Sequence, residues 1–186
     1  MDNSRLDEKK YPSLTVVIPV FNEEKTIEDV LKLVSYSNLV NEIVIVNDFS
    51  TDNSLGIMEK AIELILKGKP SLKIQLFNSD KNKGKGASLR KGFELANSEV
   101  IVIQDADLEY NPSEYEKLIQ PIADGKADVV YGSRFIGGTH RVLYFWHYIG
   151  NKALTLLSNM LSNLNLTDME TCYKMFRTDI LDLFEL

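Results

Sequence analysis

Five short runs of β-branched and aliphatic residues, each followed by a segment with helical spacing, constrain this chain more than any other feature. The runs are "LTVVIPV" (14–20), "EIVIVN" (42–47), "LKIQLF" (72–77), "EVIVIQ" (99–104) and "ADVVYG" (127–132). Between them apolar residues recur three and four apart: Ile27, Val30, Leu31 and Val34; Ile57, Ala61, Leu64 and Ile65; Leu89, Phe93 and Ala96; Tyr115, Leu118, Ile119 and Ile122. Strands alternating with helices predict an α/β fold, a mostly parallel sheet with helices on both faces. Thr51 or Asp52 is placed to open the second helix, and Asn111-Pro112 the fourth. No repeat, low-complexity tract or interdomain linker breaks the pattern, and 186 residues suit one domain. Residues 13–186 read as that domain behind a flexible polar tail, 1–12. The last stretch, "TDILDLFEL", reads as a helix stopped mid-pattern, so the domain is expected to be cut short at its C-terminus.

Charge and cysteine usage narrow the class. A net charge of −6 argues against general nucleic-acid binding, which needs a basic footprint. The single cysteine, Cys172, forms no intrachain disulfide, and a reducing, cytoplasmic setting is expected. No signal-peptide pattern and no apolar run of about 18 residues is present. His140 and His147 lie seven apart, which is not a helix-facing metal spacing.

In open parallel sheets, ligands bind beyond the carboxyl ends of the strands. The polar residues after each run are therefore the informative ones: Pro19 to Glu23, Asn47 to Ser50, Gln104 to Asp107, and Gly132 to Arg134. No P-loop occurs, and "GKGASL" (84–89) has Leu89 where a dinucleotide fingerprint needs glycine. The fourth run instead ends in Asp105 and Asp107. Carboxylates repel phosphate, and a divalent cation, Mg²⁺ or Mn²⁺, reconciles the two. A nucleoside diphosphate held through such an ion fits, with Asp48 accepting from a base or ribose and Arg134 facing phosphate. Plainer readings stand beside these. Asp105 and Asp107 suit a turn after a strand, Asp48 suits a cap, and Glu23 favours a helix N-terminus. Gly84-Lys85-Gly86 suits a turn, Lys81 to Lys91 a solvated basic surface, and Cys172 a small buried side chain.

The segments "VVIPVFNEE", "IVIVNDFSTDNS", "NKGKGASLRKGFELA", "IVIQDADLEYNP", "VVYGSRF" and "DMETCYKMFR" occur in this order. In that order they resemble a family 2 glycosyltransferase of the GT-A fold, and within it the branch that moves a sugar onto a polyprenyl or dolichyl phosphate. The resemblance runs from about residue 14 to about residue 178. It implies donor contacts from Pro19, Phe21, Glu23, Val46, Asp48, Lys85, Asp105, Ala106 and Asp107. It implies a metal at Asp105 and Asp107, with Glu109 where a third ligand is sometimes supplied. Asp107 and Arg134 become the residues expected at the chemistry; Arg134, Arg141, Asp168, Glu170 and Lys174 fall on the acceptor side. Two positions depart from the branch: Phe21 stands where tyrosine is frequent, and Asn47 where an acid often precedes Asp48.

The reaction implied is inverting transfer of a hexose from a UDP- or GDP-linked donor. A lipid phosphate brings an oxygen that is already anionic, so it needs cations rather than a general base. Residues 140–166 carry Leu143, Trp146, Ile149, Ala153, Leu156 and Met160 on one helical stripe, with Tyr144, Phe145 and Trp146 near its start. Such a belt suits peripheral contact with the cytoplasmic face of a membrane, and equally suits core packing. A saccharide acceptor, with Glu170 as base, and a non-catalytic nucleotide-binding module are the rival readings.

Overall fold

The computed structural model describes residues 11–134 and 145–183. Six strands form one sheet: β1 (Leu14–Val20), β2 (Val40–Asn47), β3 (Lys73–Asn78), β4 (Val100–Ile103), β5 (Val129–Tyr131) and β6 (Lys174–Arg177). Their order is β3-β2-β1-β4-β6-β5. The pairs β1–β2, β1–β4 and β2–β3 are parallel. The α/β expectation is borne out, and all five expected strands form, shifted by at most two residues at their ends.

The sixth strand is the difference. β6 runs antiparallel to both β4 and β5 and lies between them. Sequence reading treats "KMFR" as part of a motif, not as a strand, because four residues carry too little period to score. The reversal has a functional consequence. It delivers the residues just before β6 to the same sheet edge at which β1, β2 and β4 end.

Side-chain alternation divides the core between two faces, as strand geometry requires. Val16, Ile18, Ile43, Ile45, Val100 and Val102 point to one face, under α1 (Ile27–Tyr36), α2 (Ser54–Gly68) and α4 (Tyr115–Ala123). Val17, Val44, Val46, Ile101 and Ile103 point to the other, against Leu89, Phe93 and Leu95 of α3 (Lys85–Leu95). Of the expected helix faces, the first and fourth are fully buried, whereas Leu64 on α2 is 61% exposed. Asn111 accepts a hydrogen bond from the Ser113 amide and opens a short 3₁₀ turn at Pro112 that leads into α4. α2 starts one residue later than expected, after Asn53, while Asp52 accepts from the Ser54 amide. The C-terminal pattern forms a 3₁₀ helix, Thr178–Leu183.

The last α-helix, α5 (Phe145–Ser162), has one buried residue, Thr155. It is held by polar contacts to the returning chain: Asn159 with both the carbonyl and amide of Leu166, Thr155 Oγ1 with the Met169 amide, and Lys152 with the Thr167 carbonyl. Its apolar side chains, Trp146 at 78%, Met160 at 72% and Leu161 at 89%, face outward. Leu143 and Tyr144 of the expected stripe lie outside the described residues. Among the described residues no helix is long and apolar enough to cross a membrane.

Candidate active site

Three strand-end loops carry non-glycine residues at positive φ: Asn22 after β1 (57°), Phe49 after β2 (61°) and Leu108 after β4 (64°). For Phe49 and Leu108, bulky side chains with no local hydrogen-bonding excuse, this backbone costs energy. The strain is gathered on the carboxyl edge of the sheet, where functional loops are expected.

The first two loops are sewn together by hydrogen bonds. The Asn22 amide donates to Ser50 Oγ, the Thr51 amide to Asn22 Oδ1, and the Glu23 amide to Ser54 Oγ. Glu24 and Asp52 add a reciprocal pair: the Glu24 amide donates to Asp52, and the Asn53 amide to Glu24. Asp48 is buried, and its two oxygens accept from the Lys83 and Gly84 amides at 2.9 and 2.7 Å. It therefore fixes the start of α3 rather than capping α2. Lone pairs remain on both oxygens for a further donor.

The loop after β4 is built on Gln104, a fully buried side chain. Its Nε2 donates to the carbonyls of Asp105 and Tyr110, 3.2 Å each, and so ties the two ends of the loop. Its Oε1 accepts from the Tyr115 hydroxyl at 2.8 Å. Tyr110 in turn accepts from the Cys172 amide, which joins this loop to the segment entering β6. Within the loop, Asp107 Oδ1 accepts from the Glu109 amide.

Pro19, Val20, Phe21, Glu23, Asp48, Lys85, Ser88, Asp105, Ala106 and Asp107 line one open cleft. Eight of the nine residues expected at the donor are thus brought together. Val46 does not line it: its side chain is fully buried and packs against the α3 side of the core, one residue short of the strand end. Val20, from the Pro19–Glu23 cluster, and Ser88, which was unforeseen, also line the cleft. Ser88 sits one helical turn beyond Gly84, a signal that the "GKGAS" spacing does carry.

Four carboxylates, Glu23, Asp48, Asp105 and Asp107, face one cation among the lining residues, Lys85. Its ammonium lies 2.6 Å from Asp105 Oδ1 and 3.1 Å from Cys172 Sγ. Burial disfavours its charge, but hydrogen bonds to Asp105 and Cys172 outweigh this, and the Lys85 pKa is raised. Burial and the neighbouring Asp105 push the Cys172 thiol up, so it is no ready nucleophile. Hard carboxylate oxygens suit Mg²⁺ or Mn²⁺. Among the described residues no group of three or more His, Cys, Asp or Glu converges to hold an ion. Two carboxylates suit an ion that takes its remaining ligands from a diphosphate and water.

Two of the residues expected on the acceptor side form an ion pair. Arg134 directs Nε and Nη2 at the two oxygens of Asp168, 2.9 Å each, and its own amide donates to the same carboxylate. The Asp168 side chain is fully enclosed. It locks the chain after β5 to the chain before β6. Lys174 donates to the Thr171 carbonyl and lies 5.0 Å from the Tyr131 ring centre, with burial lowering its pKa. Glu170 is exposed. Arg141 and His140 lie outside the described residues.

A mostly parallel six-stranded sheet with an acidic cleft at its carboxyl edge defines an α/β class that binds ligands at that edge. Sequence comparison makes it specific. Residues 15–184 match the model of "Glycosyl transferase family 2", and the chain belongs to that family; its fold is GT-A. It is 34% identical over 127 residues to the dolichol-phosphate mannosyltransferase of Pyrococcus furiosus, covering 67% of this chain and 34% of that protein. It is 29% identical to the UDP-N-acetylglucosamine–dolichyl-phosphate N-acetylglucosaminyltransferase of Methanococcus voltae, covering 87% of this chain and 68% of that one. Among solved structures it is similar to a mannosyltransferase from Pyrobaculum calidifontis in complex with GDP-Man and Mn²⁺. That match has a TM-score of 0.55 and 26% identity, over 64% of this chain and 35% of the other. The chain thus spans between about a third and two thirds of the length of these relatives.

Proposed function

We propose that this domain transfers a hexose from a UDP- or GDP-linked donor to a polyprenyl phosphate, with inversion at the anomeric carbon. The observation that carries this reading is the cleft: four carboxylates and one ammonium at the end of β1, β2 and β4, in a family 2 chain whose relatives are named for transfer to dolichyl phosphate.

The nucleoside end of the donor belongs beside Phe21, Glu23 and Asp48, and the diphosphate beside Lys85, Asp105 and Asp107. Asp105 and Asp107 would hold a divalent ion, which would supply charge neutralisation for the departing nucleoside diphosphate. Gln104 and Tyr115 hold the loop that presents both carboxylates. Lys85 adds a positive charge where negative charge grows. A phosphate acceptor needs no proton removed, so the cations on its side do the positioning. Lys174, which burial keeps easier to deprotonate than an exposed lysine, and Arg141 are assigned there.

The open face of α5 supports the lipid half of the proposal. Phe145 and Trp146 at its start, then Ile149, Leu156, Met160 and Leu161, give a half-exposed to fully exposed apolar surface on the helix that leads into the Asp168–Lys174 segment. Such a face, with aromatics at one end, suits the headgroup boundary of a cytoplasmic membrane leaflet.

A thermal-shift panel tests the donor half. UDP or GDP should raise the melting temperature only with Mn²⁺ or Mg²⁺, and Asp107→Ala or a chelator should remove the shift. Radiolabelled transfer to a polyprenyl phosphate tests the acceptor half; turnover solely on free sugar hydroxyls would refute it.

A further inference from the structure

We infer that Lys85 is the resident counter-ion of Asp105, standing where the divalent cation must bind, and that its displacement couples metal binding to nucleotide binding. This rests on the donor-site reading above and deepens it.

The geometry leaves little choice. Lys85 Nζ is 2.6 Å from Asp105 Oδ1, and a Mg²⁺ ion on that oxygen would sit at about 2.1 Å, in the same place. A second cation at the same carboxylate meets an ammonium within a few ångström. The Asp105 side chain is only 13% exposed, so water does little to screen that repulsion. The metal therefore displaces the ammonium. The root of Lys85 cannot follow, because Asp48 holds the amides of Lys83 and Gly84. The four-carbon stem can, and its side chain is 47% exposed.

The charges of the cleft then set the coupling. Metal alone evicts the ammonium and offers it no new anion. Nucleotide alone brings a diphosphate toward four carboxylates and one lysine that is already paired. Together, the metal takes Asp105 and the diphosphate takes the released Lys85. Each ligand removes the obstacle to the other, and the effect is reciprocal. A lysine that served merely as a phosphate ligand would give a different result: its removal would weaken nucleotide and leave the affinity for metal alone unchanged.

The sign of one measurement separates these cases. Mn²⁺ binding to the free protein is followed by the electron paramagnetic resonance of the unbound ion, and UDP and GDP binding by calorimetry, with and without Mn²⁺. Lys85→Met should bind Mn²⁺ alone about fivefold or more tightly than the parent, and should bind nucleotide at saturating Mn²⁺ about tenfold or more weakly. Lys85→Arg, which keeps a cation on Asp105, should retain the parent pattern. Metal affinity that stays equal or falls in Lys85→Met, while the parent still shows Mn²⁺-dependent nucleotide binding, overturns this inference alone. No Mn²⁺ and no nucleotide binding in any of the three proteins overturns the donor-site reading with it. Matching circular dichroism and melting curves without ligand confirm that the variants are folded.

Discussion

Arg134 and Asp168 meet in a two-point ion pair, Nε to Oδ2 and Nη2 to Oδ1, 2.9 Å each, with the carboxylate fully enclosed and the guanidinium 28% exposed. The pair closes the sheet edge across 34 residues of chain. Its two halves are not equivalent. Arg134→Ala strands a buried carboxylate, which keeps only the Arg134-position amide and Asn151 as donors, and should cost about 3 kcal/mol at neutral pH. Asp168→Ala leaves a guanidinium that water can reach, and should cost about 1–2 kcal/mol. Urea denaturation of both variants checks the order.

The same pair predicts an acid limb. Burial opposes the Asp168 charge, but the Arg134 hydrogen bonds outweigh it and hold the carboxyl below the usual range. A depressed folded pKa stabilises above the unfolded value, about 3.9, and that contribution is lost as pH falls through the folded value. Stability measured from pH 6 to pH 2 should fall less steeply in Asp168→Asn than in the parent.

Glu42 is another buried carboxylate, 2% exposed, and among the described residues its side chain is held by neutral donors. Thr15 Oγ1, the amide and Nδ2 of Asn97, and Nε2 of Gln75 all donate to it. Burial raises its pKa, the hydrogen bonds lower it more, and the net direction is down. Glu42→Gln would aim an amide NH₂ at donors. A loss of about 1–3 kcal/mol is expected at neutral pH, with a smaller difference from the parent once the parent's carboxylate protonates. Chemical denaturation at pH 7 and pH 3 checks this.

Gln104 links stability to the site. Gln104→Leu leaves the Tyr115 hydroxyl and two loop carbonyls without their partner and should cost about 2–3 kcal/mol. Adding Tyr115→Phe should recover part of that, since one orphaned donor disappears. Mn²⁺-dependent nucleotide affinity should remain reduced about fivefold in the double variant, because the loop ends are still untied. Calorimetry beside melting curves separates the two effects.

Gly92 marks where α3 presses on β1. A Cβ at this position would lie 2.3 Å from Val17 Cγ1, well inside contact distance. Gly92→Ala should destabilise by about 1–3 kcal/mol despite the better helix propensity of alanine. Val17→Ala in the same protein should relieve the clash, giving a favourable coupling in a double-mutant cycle.

Much of this was legible in the chain itself. β-branched runs fixed where β1 to β5 lie, apolar spacing marked α1 and α4, and the acids that follow the runs had to collect on the carboxyl edge. Each is a short-range property, written within a dozen residues. Val46 and Asp48 share a face, as the period of two requires, but Val46 lies inside the strand where α3 covers it, whereas Asp48 lies past the strand end at the cleft.

Other features belong to the tertiary structure. β6 pairs with β4 across more than 70 residues of chain and in the opposite direction, which four residues of sequence cannot announce. That reversal alone brings Asp168 to Arg134 and Cys172 to Lys85. Sequence named the charged groups at the edge of the sheet; the long-range strand pairing decided which of them meet, because ion pairs depend on distance in space and not on position along the chain.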